Sequence, residues 1–441
     1  MPAKWPPRAV GEPTIAIVVD AAGGTDVLGA GEVGVIVIAG AQRNHIHPSA
    51  VNRPIGWPAD GPHGHHRVMR IADFALERYF AKWEFAVEHV LCASDVEGWS
   101  MAELLALADE EATAMWAGLR LGYTESTGHP LLRREIAALY DTLDADDVLV
   151  FAGAEEAVFC LMTTSLGPGD HVVVTWPGYQ SLYEVARAGG AKVGLHLLRE
   201  EDGWALDVDR LARSVHDDTR MVVVNAPHNP TGMLPTPDEW RRLAAECSSR
   251  GIRLVADEVY RFIEHDGAPT LPAGADLDER AVSIGVMSKS FALAGLRIGW
   301  LATRDRAVLD RCARMKDYTT ICSAAPSEIL ALIALRARDR VLDRSRSIVS
   351  ANLAVLDDFF ARRADALSWV RPGGGSTAFP ALVPGGPAGA SADAFAARLV
   401  EQTGVLLLPS STFGFGDSHV RIGLGRTDFP EAIAKLEVFL G

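Results

Sequence analysis

Met287-Ser288-Lys289-Ser290-Phe291-Ala292-Leu293-Ala294-Gly295-Leu296-Arg297-Ile298-Gly299-Trp300 decides how this chain reads. It sets one amine beside a hydroxyl, with a guanidinium eight residues on, in a run rich in small residues. A lysine so placed suits attachment to a carbonyl compound as a Schiff base, and Ser288 and Arg297 suit a grip on phosphate. The spacing proves nothing by itself, so the reading rests on what lies upstream.

Upstream, Leu254-Val255-Ala256-Asp257-Glu258-Val259-Tyr260 reads as a short buried strand ending in polar groups. Asp257 there suits pairing with a pyridinium nitrogen, because an opposite charge nearby keeps that nitrogen protonated. A protonated ring accepts electrons from a carbanion. Before it, Met221-Val222-Val223-Val224 forms a strand, and Asn229-Pro230-Thr231-Gly232 turns the chain at its end. Asn229 can donate to a phenolate oxygen. A Schiff-base lysine, a phosphate grip and a carboxylate for a ring nitrogen together point to pyridoxal 5'-phosphate.

These motifs, in this order, resemble the class I/II aminotransferases, the fold-type-I pyridoxal phosphate enzymes, from about Leu76 to the C-terminus. The resemblance implies Asn229 and Tyr260 on the cofactor's 3-hydroxyl, Asp257 on its ring nitrogen, and Lys289 as Schiff base and proton carrier. One departure is visible: many relatives carry a second hydroxyl three residues before the lysine, where this chain has Val286.

Other stretches complete the expected pocket. Phe151-Ala152-Gly153-Ala154-Glu155-Glu156 reads as a strand end, a tight turn and a helix start. Backbone amides at a helix N-terminus bind phosphate, so the Gly153, Ala154 and Glu155 amides are candidate cradle groups; the plainer reading is an ordinary turn. In Thr175-Trp176-Pro177-Gly178-Tyr179, the resemblance places Tyr179 against the cofactor ring, with Trp176 the competing aromatic. Arg421 matches the family's carboxylate-binding arginine, while Arg426 reads as a surface or structural one. Tyr123, in Gly122 to Arg133, resembles the residue that reaches the phosphate of a neighbouring subunit, which implies a homodimer with shared sites. The alternative is a tyrosine packed in a loop.

The chain has 441 residues, 48% hydrophobic and 22% charged, enough for a main domain and a smaller one. Its formal charge of −15 disfavours nucleic acid and anionic membrane as partners. No apolar run reaches the roughly 18 residues that span a bilayer. The five cysteines have no metal-ligand spacing and suit reduced thiols in the cytoplasm.

Residues 1–68 differ from the rest. They are rich in Gly and Pro, carry His63, His65 and His66 close together, and hold strand-like runs at 14–19 and 33–38. We expect an extension there, disordered or not native, with Met69 reading as a better start; no basic segment precedes an apolar run as in a secretory signal. We expect an N-terminal arm and the start of the small domain over 69–120, a large cofactor domain over 121–345 and a small C-terminal domain over 346–441. Strands are predicted at Val148 to Phe151, His171 to Trp176, Lys192 to Leu198, Met221 to Val224, Leu254 to Asp257, Val282 to Met287 and Gly299 to Ala302. Helices are predicted over about 101–119, 130–142, 237–250 and 328–364, the last broken by Pro372-Gly373-Gly374-Gly375. This alternation predicts an α/β fold with a mostly parallel sheet between helices and a smaller α+β region.

The substrate is less legible. Thr319 falls where aspartate aminotransferases place a second arginine, so a dicarboxylic amino acid is not the obvious substrate. The aromatic and acidic arm, Leu76 to Phe85 and Ser94 to Trp99, is similar to capreomycidine synthase and arginine oxidases, relatives that act on guanidino amino acids. Glu84 or Asp95 can pair with a guanidinium. The plainer reading has these acids solvated, or Ser94 and Asp95 capping the next helix. The expectation is therefore an aminotransferase moving an α-amino group from an amino acid to a 2-oxo acid, with a specialised cyclase, lyase or oxidase as the alternative. A non-catalytic binding protein is the third reading; intact Lys289, Asp257 and Arg421 argue against it.

Overall fold

The computed structural model describes residues 69–441. The histidine cluster and the strand-like runs before Met69 lie outside the described residues. Seven strands form one sheet: β1 (Val148–Phe151), β2 (His171–Trp176), β3 (Lys192–Leu197), β4 (Thr219–Asn225), β5 (Arg253–Asp257), β6 (Val282–Val286) and β7 (Gly299–Ala302). Their order is β1-β7-β6-β5-β4-β2-β3. Neighbours from β6 through β3 run parallel, and β7 is antiparallel to both β6 and β1. Each strand matches its predicted range to within two residues at either end. Every residue of β1 and β6 is buried because helices cover both faces of the sheet. The predicted mostly parallel α/β sheet is the one observed.

Strands β1, β2, β4, β5 and β6 share one direction, so their C-terminal ends open on one edge. In open α/β sheets this edge holds the ligand site. The loops leaving it carry Gly153, Tyr179, Asn229, Tyr260 and Lys289 respectively.

Three helix expectations need correction. The pattern over 101–119 is two helices, Met101–Leu105 and Glu110–Ala117, because Asp109 accepts the Ala112 N–H (2.7 Å) and starts a new one. The helix from Pro130 ends at Ala137, short of 142, in a tight last turn. The long pattern over 328–364 is two helices, Ala325–Arg336 and Arg338–Arg362, which meet at Ala337. The second ends ten residues before Pro372. There Arg363 turns its guanidinium onto the carbonyls of Glu437, Leu440 and Gly441. Pro372 to Gly375 does not end a helix; the Gly373 and Gly374 amides dock on Gly232 O.

The C-terminal region adds β8 (Leu367–Ser368), β9 (Thr377–Ala378), β10 (Ala381–Leu382), β11 (Leu408–Pro409) and β12 (Val420–Gly423). Strand β12 lies between β11 and β9, and β10 pairs with β8. Helices Ala392–Thr403 and Phe429–Leu440 share one hydrophobic cluster with helix Arg338–Arg362 and with Leu91 and Val96 of the N-terminal segment. That segment follows helix Ala75–Trp83 and lies along β12: Gly423 N donates to Leu91 O (2.7 Å), and Glu97 N donates to Gly425 O (2.8 Å). Glycine is required there, since a Cβ on Gly423 or Gly425 would stand 1.7 Å from Ala93 O or 2.1 Å from Asp95 O.

Candidate active site

Lys289 sits in the loop between β6 and β7, whose ends are pinned by Met287 N to Ile298 O (2.9 Å) and Leu293 N to Met287 O (2.9 Å). Its amine lies over the Tyr260 ring, 5.8 Å from the centroid, and donates to Ser94 Oγ at 2.8 Å. The Tyr260 hydroxyl is buried and has no hydrogen-bond partner among the described residues. Ser288 is buried next to Lys289.

Asp257 ends β5 and is 5% exposed. Burial, opposed by the Val259 amide, pushes its carboxyl up to about 7. That amide, two residues on, donates to Asp257 Oδ1 at 3.4 Å. Asn225, at the end of β4, holds this strand end to the next loop. Its Nδ2 donates to Asp257 O (2.9 Å), and its Oδ1 accepts the Asn229 N–H (2.6 Å). Asn229 Oδ1 accepts in turn from Arg421 NH1 at 3.1 Å. Asp257, Asn229 and Arg421, all expected to face one small molecule, are thus joined through Asn225.

Arg421, on β12, is 1% exposed. Its Nε and NH2 both donate to Cys92 O, at 3.0 and 2.8 Å. The Phe80 and Phe413 rings lie 5.9 and 5.7 Å from its guanidinium carbon. Burial lowers its pKa, the mark of a cation removed from water.

At the phosphate end, Gly153 caps helix Ala154–Ser165 with φ +97°. A Cβ there would lie 2.8 Å from Arg297 NH2, so the two residues adjoin. Arg297 itself takes the left-handed conformation, φ +53°, which turns its side chain back toward Gly153. The expected three-amide cradle is reduced by one: Gly153 N–H donates to Phe151 O (2.8 Å), a turn contact the spacing did not reveal. Glu155 accepts from Ser181 Oγ (3.1 Å). Tyr179 stands between Phe74 (centroids 5.0 Å) and the Glu155 side; burial and then Glu155 raise its hydroxyl well above the ordinary tyrosine value. Trp176, the competing aromatic, donates to Phe413 O (3.2 Å) and meets Phe415 edge-on, so it packs against the C-terminal region.

Some expected residues fall elsewhere. Tyr123 is 90% exposed and does not join the site within this chain. Thr319 bonds Glu156 and Lys316 O, which ties the turn after helix Arg306–Lys316 to the first turn of helix Ala154–Ser165. The capping reading of Ser94 and Asp95 is overturned. Ser100 caps helix Met101–Leu105 in a reciprocal box with Glu103. Asp95 instead pairs with Arg426 NH2 (3.0 and 3.2 Å), which makes Arg426 structural, and Ser94 bonds Lys289. Three contact residues were missed by sequence reasoning: Asn225, Ser376 and Cys92, whose carbonyl holds Arg421. Asn225 was signalled by an amide ending an apolar strand four residues before Asn229. Ser376, which donates to Ser94 O (2.7 Å), had no local signal.

The unmet needs of the site have a common answer. A buried carboxyl raised by burial suits a ring N–H⁺, a buried partnerless tyrosine hydroxyl suits a phenolic oxygen, and a buried guanidinium suits a carboxylate. Helix-end amides beside an arginine suit a phosphate. Fold and site therefore define a protein that holds a phosphorylated pyridine aldehyde beside a lysine, and the residues present fit pyridoxal phosphate.

The sequence model described as aminotransferase class I and II matches residues 90–433, and the chain belongs to that family. Pyridoxal phosphate is its cofactor. The chain is 31% identical to capreomycidine synthase of Streptomyces vinaceus, over 84% of this chain and 93% of that protein. It is 31% identical to an arginine–pyruvate transaminase of Pseudomonas aeruginosa, over 68% of this chain and 77% of that one. A pyridoxal phosphate-dependent aminotransferase of Streptococcus suis superposes with TM-score 0.78 at 28% identity, covering 84% of this chain and 98% of its own. Among the described residues, no helix is long and apolar enough to cross a membrane.

Proposed function

We propose that this protein transfers the α-amino group of an amino acid to a 2-oxo acid in a ping-pong cycle that depends on Lys289. The observation that carries the proposal is the hydrogen-bonded chain from Asp257 through Asn225 and Asn229 to Arg421, set beside Lys289. When bound, pyridoxal phosphate supplies a sink for the electron pair released at the substrate α-carbon. Asp257 would keep the ring nitrogen protonated. Tyr260 and Asn229 would donate to the 3-oxygen. Ser288, Arg297 and the amides of Ala154 and Glu155 would hold the phosphate, and Tyr179 would cover the ring. Arg421 grips the substrate α-carboxylate with its planar fork and so orients the Cα–H bond toward Lys289. Lys289 would be the base that takes the substrate α-proton and carries it. Tyr123 projects from the surface and reaches the phosphate site of a second copy in a homodimer. The large domain over 121–345 supplies the cofactor site, and the region over 346–441 supplies Arg421. The protein works in the cytoplasm.

A second reading is favoured by the arm. Burial, then Asp95 and Glu77, raise the Glu84 carboxyl above its ordinary range. A guanidinium arriving beside Glu84 would relieve each of these. This supports a guanidino amino acid as substrate, and with it a cyclase, lyase or oxidase in the manner of capreomycidine synthase.

A half-reaction screen separates the two. The cofactor-loaded protein is mixed with single amino acids and its cofactor is extracted. Conversion to pyridoxamine phosphate by several amino acids supports transamination. Consumption of arginine or a hydroxyarginine with no pyridoxamine phosphate supports the second reading. No consumption of any amino acid overturns both.

A further inference from the structure

We propose that Ser94 is a positioning residue for the lysine amine, and that the N-terminal segment completes the site by carrying it. The proposal rests on the reading of Lys289 as the attachment lysine. Ser94 Oγ accepts from Lys289 Nζ at 2.8 Å across a separation of 195 residues. A lysine ends a flexible four-carbon stem with rotatable donors, so a fixed acceptor decides where its nitrogen points. Ser94 is such an acceptor because its backbone is held on every side. Its own carbonyl accepts from Ser376 Oγ at 2.7 Å. Two residues earlier, Cys92 O accepts both Nε and NH2 of Arg421. One residue later, Asp95 is clamped by Arg426. Leu91 and Glu97 are bonded to Gly423 and Gly425 at the end of β12, where a side chain at either glycine would collide with the segment.

One short segment thus touches both ends of the reacting region. Cys92 O orients the arginine expected to grip the substrate, and Ser94 Oγ orients the amine expected to attack. Attachment forms a C=N bond between Nζ and the aldehyde carbon. The carbonyl oxygen leaves as water with the two amine hydrogens. Ser94 takes no part in that exchange of atoms; it holds the nitrogen so that its lone pair faces the aldehyde.

The test follows pyridoxal phosphate loading of the cofactor-free protein by visible absorption, with tryptophan fluorescence reporting non-covalent binding. Ser94→Ala is expected to load about tenfold more slowly, the rate equivalent of one hydrogen bond, at unchanged non-covalent affinity. Ser94→Thr, which restores the hydroxyl, is expected to recover to within about threefold of the native rate. Loading of Ser94→Ala at the native rate overturns the proposal. So does failure of Ser94→Thr to recover, which would assign Ser94 a packing role. If Lys289→Ala loads as the native protein does, the reading of Lys289 itself fails, and that outcome is distinct from both.

Discussion

NH1 of Arg421 donates to Oδ1 of Asn229 over 3.1 Å, joining strand β12 to the turn that follows β4. With its oxygen committed to the arginine, the Asn229 carboxamide turns its NH₂ group the other way, toward the ring's 3-oxygen in the proposed complex. The guanidinium has three roles at once: it binds Cys92 O, fixes Asn229, and keeps part of its fork for a carboxylate. Lysine offers one point charge and reproduces none of these. Arg421→Lys should lower kcat/KM by about a hundredfold or more, while the visible absorption of the bound cofactor persists. Steady-state kinetics on the best substrate checks this.

Asn225 touches neither Lys289 nor Arg421, yet it spans Asp257 and Asn229 with bonds of 2.9 and 2.6 Å. It is buried, so removing its amide takes the partner from the Asn229 N–H and leaves Asp257 O with the Ala226 N–H alone. Asn225→Ala should raise the dissociation constant for pyridoxal phosphate about tenfold or more and lower the melting temperature of the cofactor-free protein. Equilibrium titration and thermal melts measure both.

Asp257 gives a pH signature. In the cofactor-free protein its carboxyl keeps its proton up to about pH 7, whereas in the unfolded chain it ionises in the ordinary carboxylate range. Between those limits the folded state binds more protons, so stability falls as pH rises, by up to about 1.4 kcal/mol per unit from this group. Glu258 and Glu328 are also raised to about 7 by burial and add slopes of the same sign. Comparison with Asp257→Asn isolates the first. Urea titrations from pH 5 to 7 should show a shallower decline for the variant.

Gly153 stands in backbone that side chains rarely adopt, and its open space is filled by Arg297 NH2. Gly153→Ala must strain the turn by about 1–2 kcal/mol or displace the arginine. Either outcome should weaken cofactor binding about tenfold or more, with little change in kcat at saturating cofactor. Cofactor titration of the variant tests this.

Much of this arrangement was legible in the sequence because it is local. Strand runs such as Val222-Val223-Val224 and Leu254-Val255-Ala256 announce their burial, and polar residues just past their ends announce the working edge. Helix boundaries were less legible where a side chain intervened. Asp109 opens a new helix inside an unbroken helical pattern, and Arg363 anchors a helix end well before Pro372. Long-range contacts were not legible. Nothing local distinguishes Ser94 bonded to Lys289 from Ser94 capping a helix, and nothing distinguishes Asp95 clamped by Arg426 from Asp95 in water. Those choices are made by packing of the arm along β12, which no short window contains.

The attachment lysine is tested most directly by chemical trapping. The protein is loaded with pyridoxal phosphate, reduced with borohydride, digested and mapped by mass. The account predicts a phosphopyridoxyl adduct on the peptide carrying Lys289, and none on that peptide in Lys289→Ala. An adduct on another lysine at equal yield, or no adduct in the native protein, would contradict it.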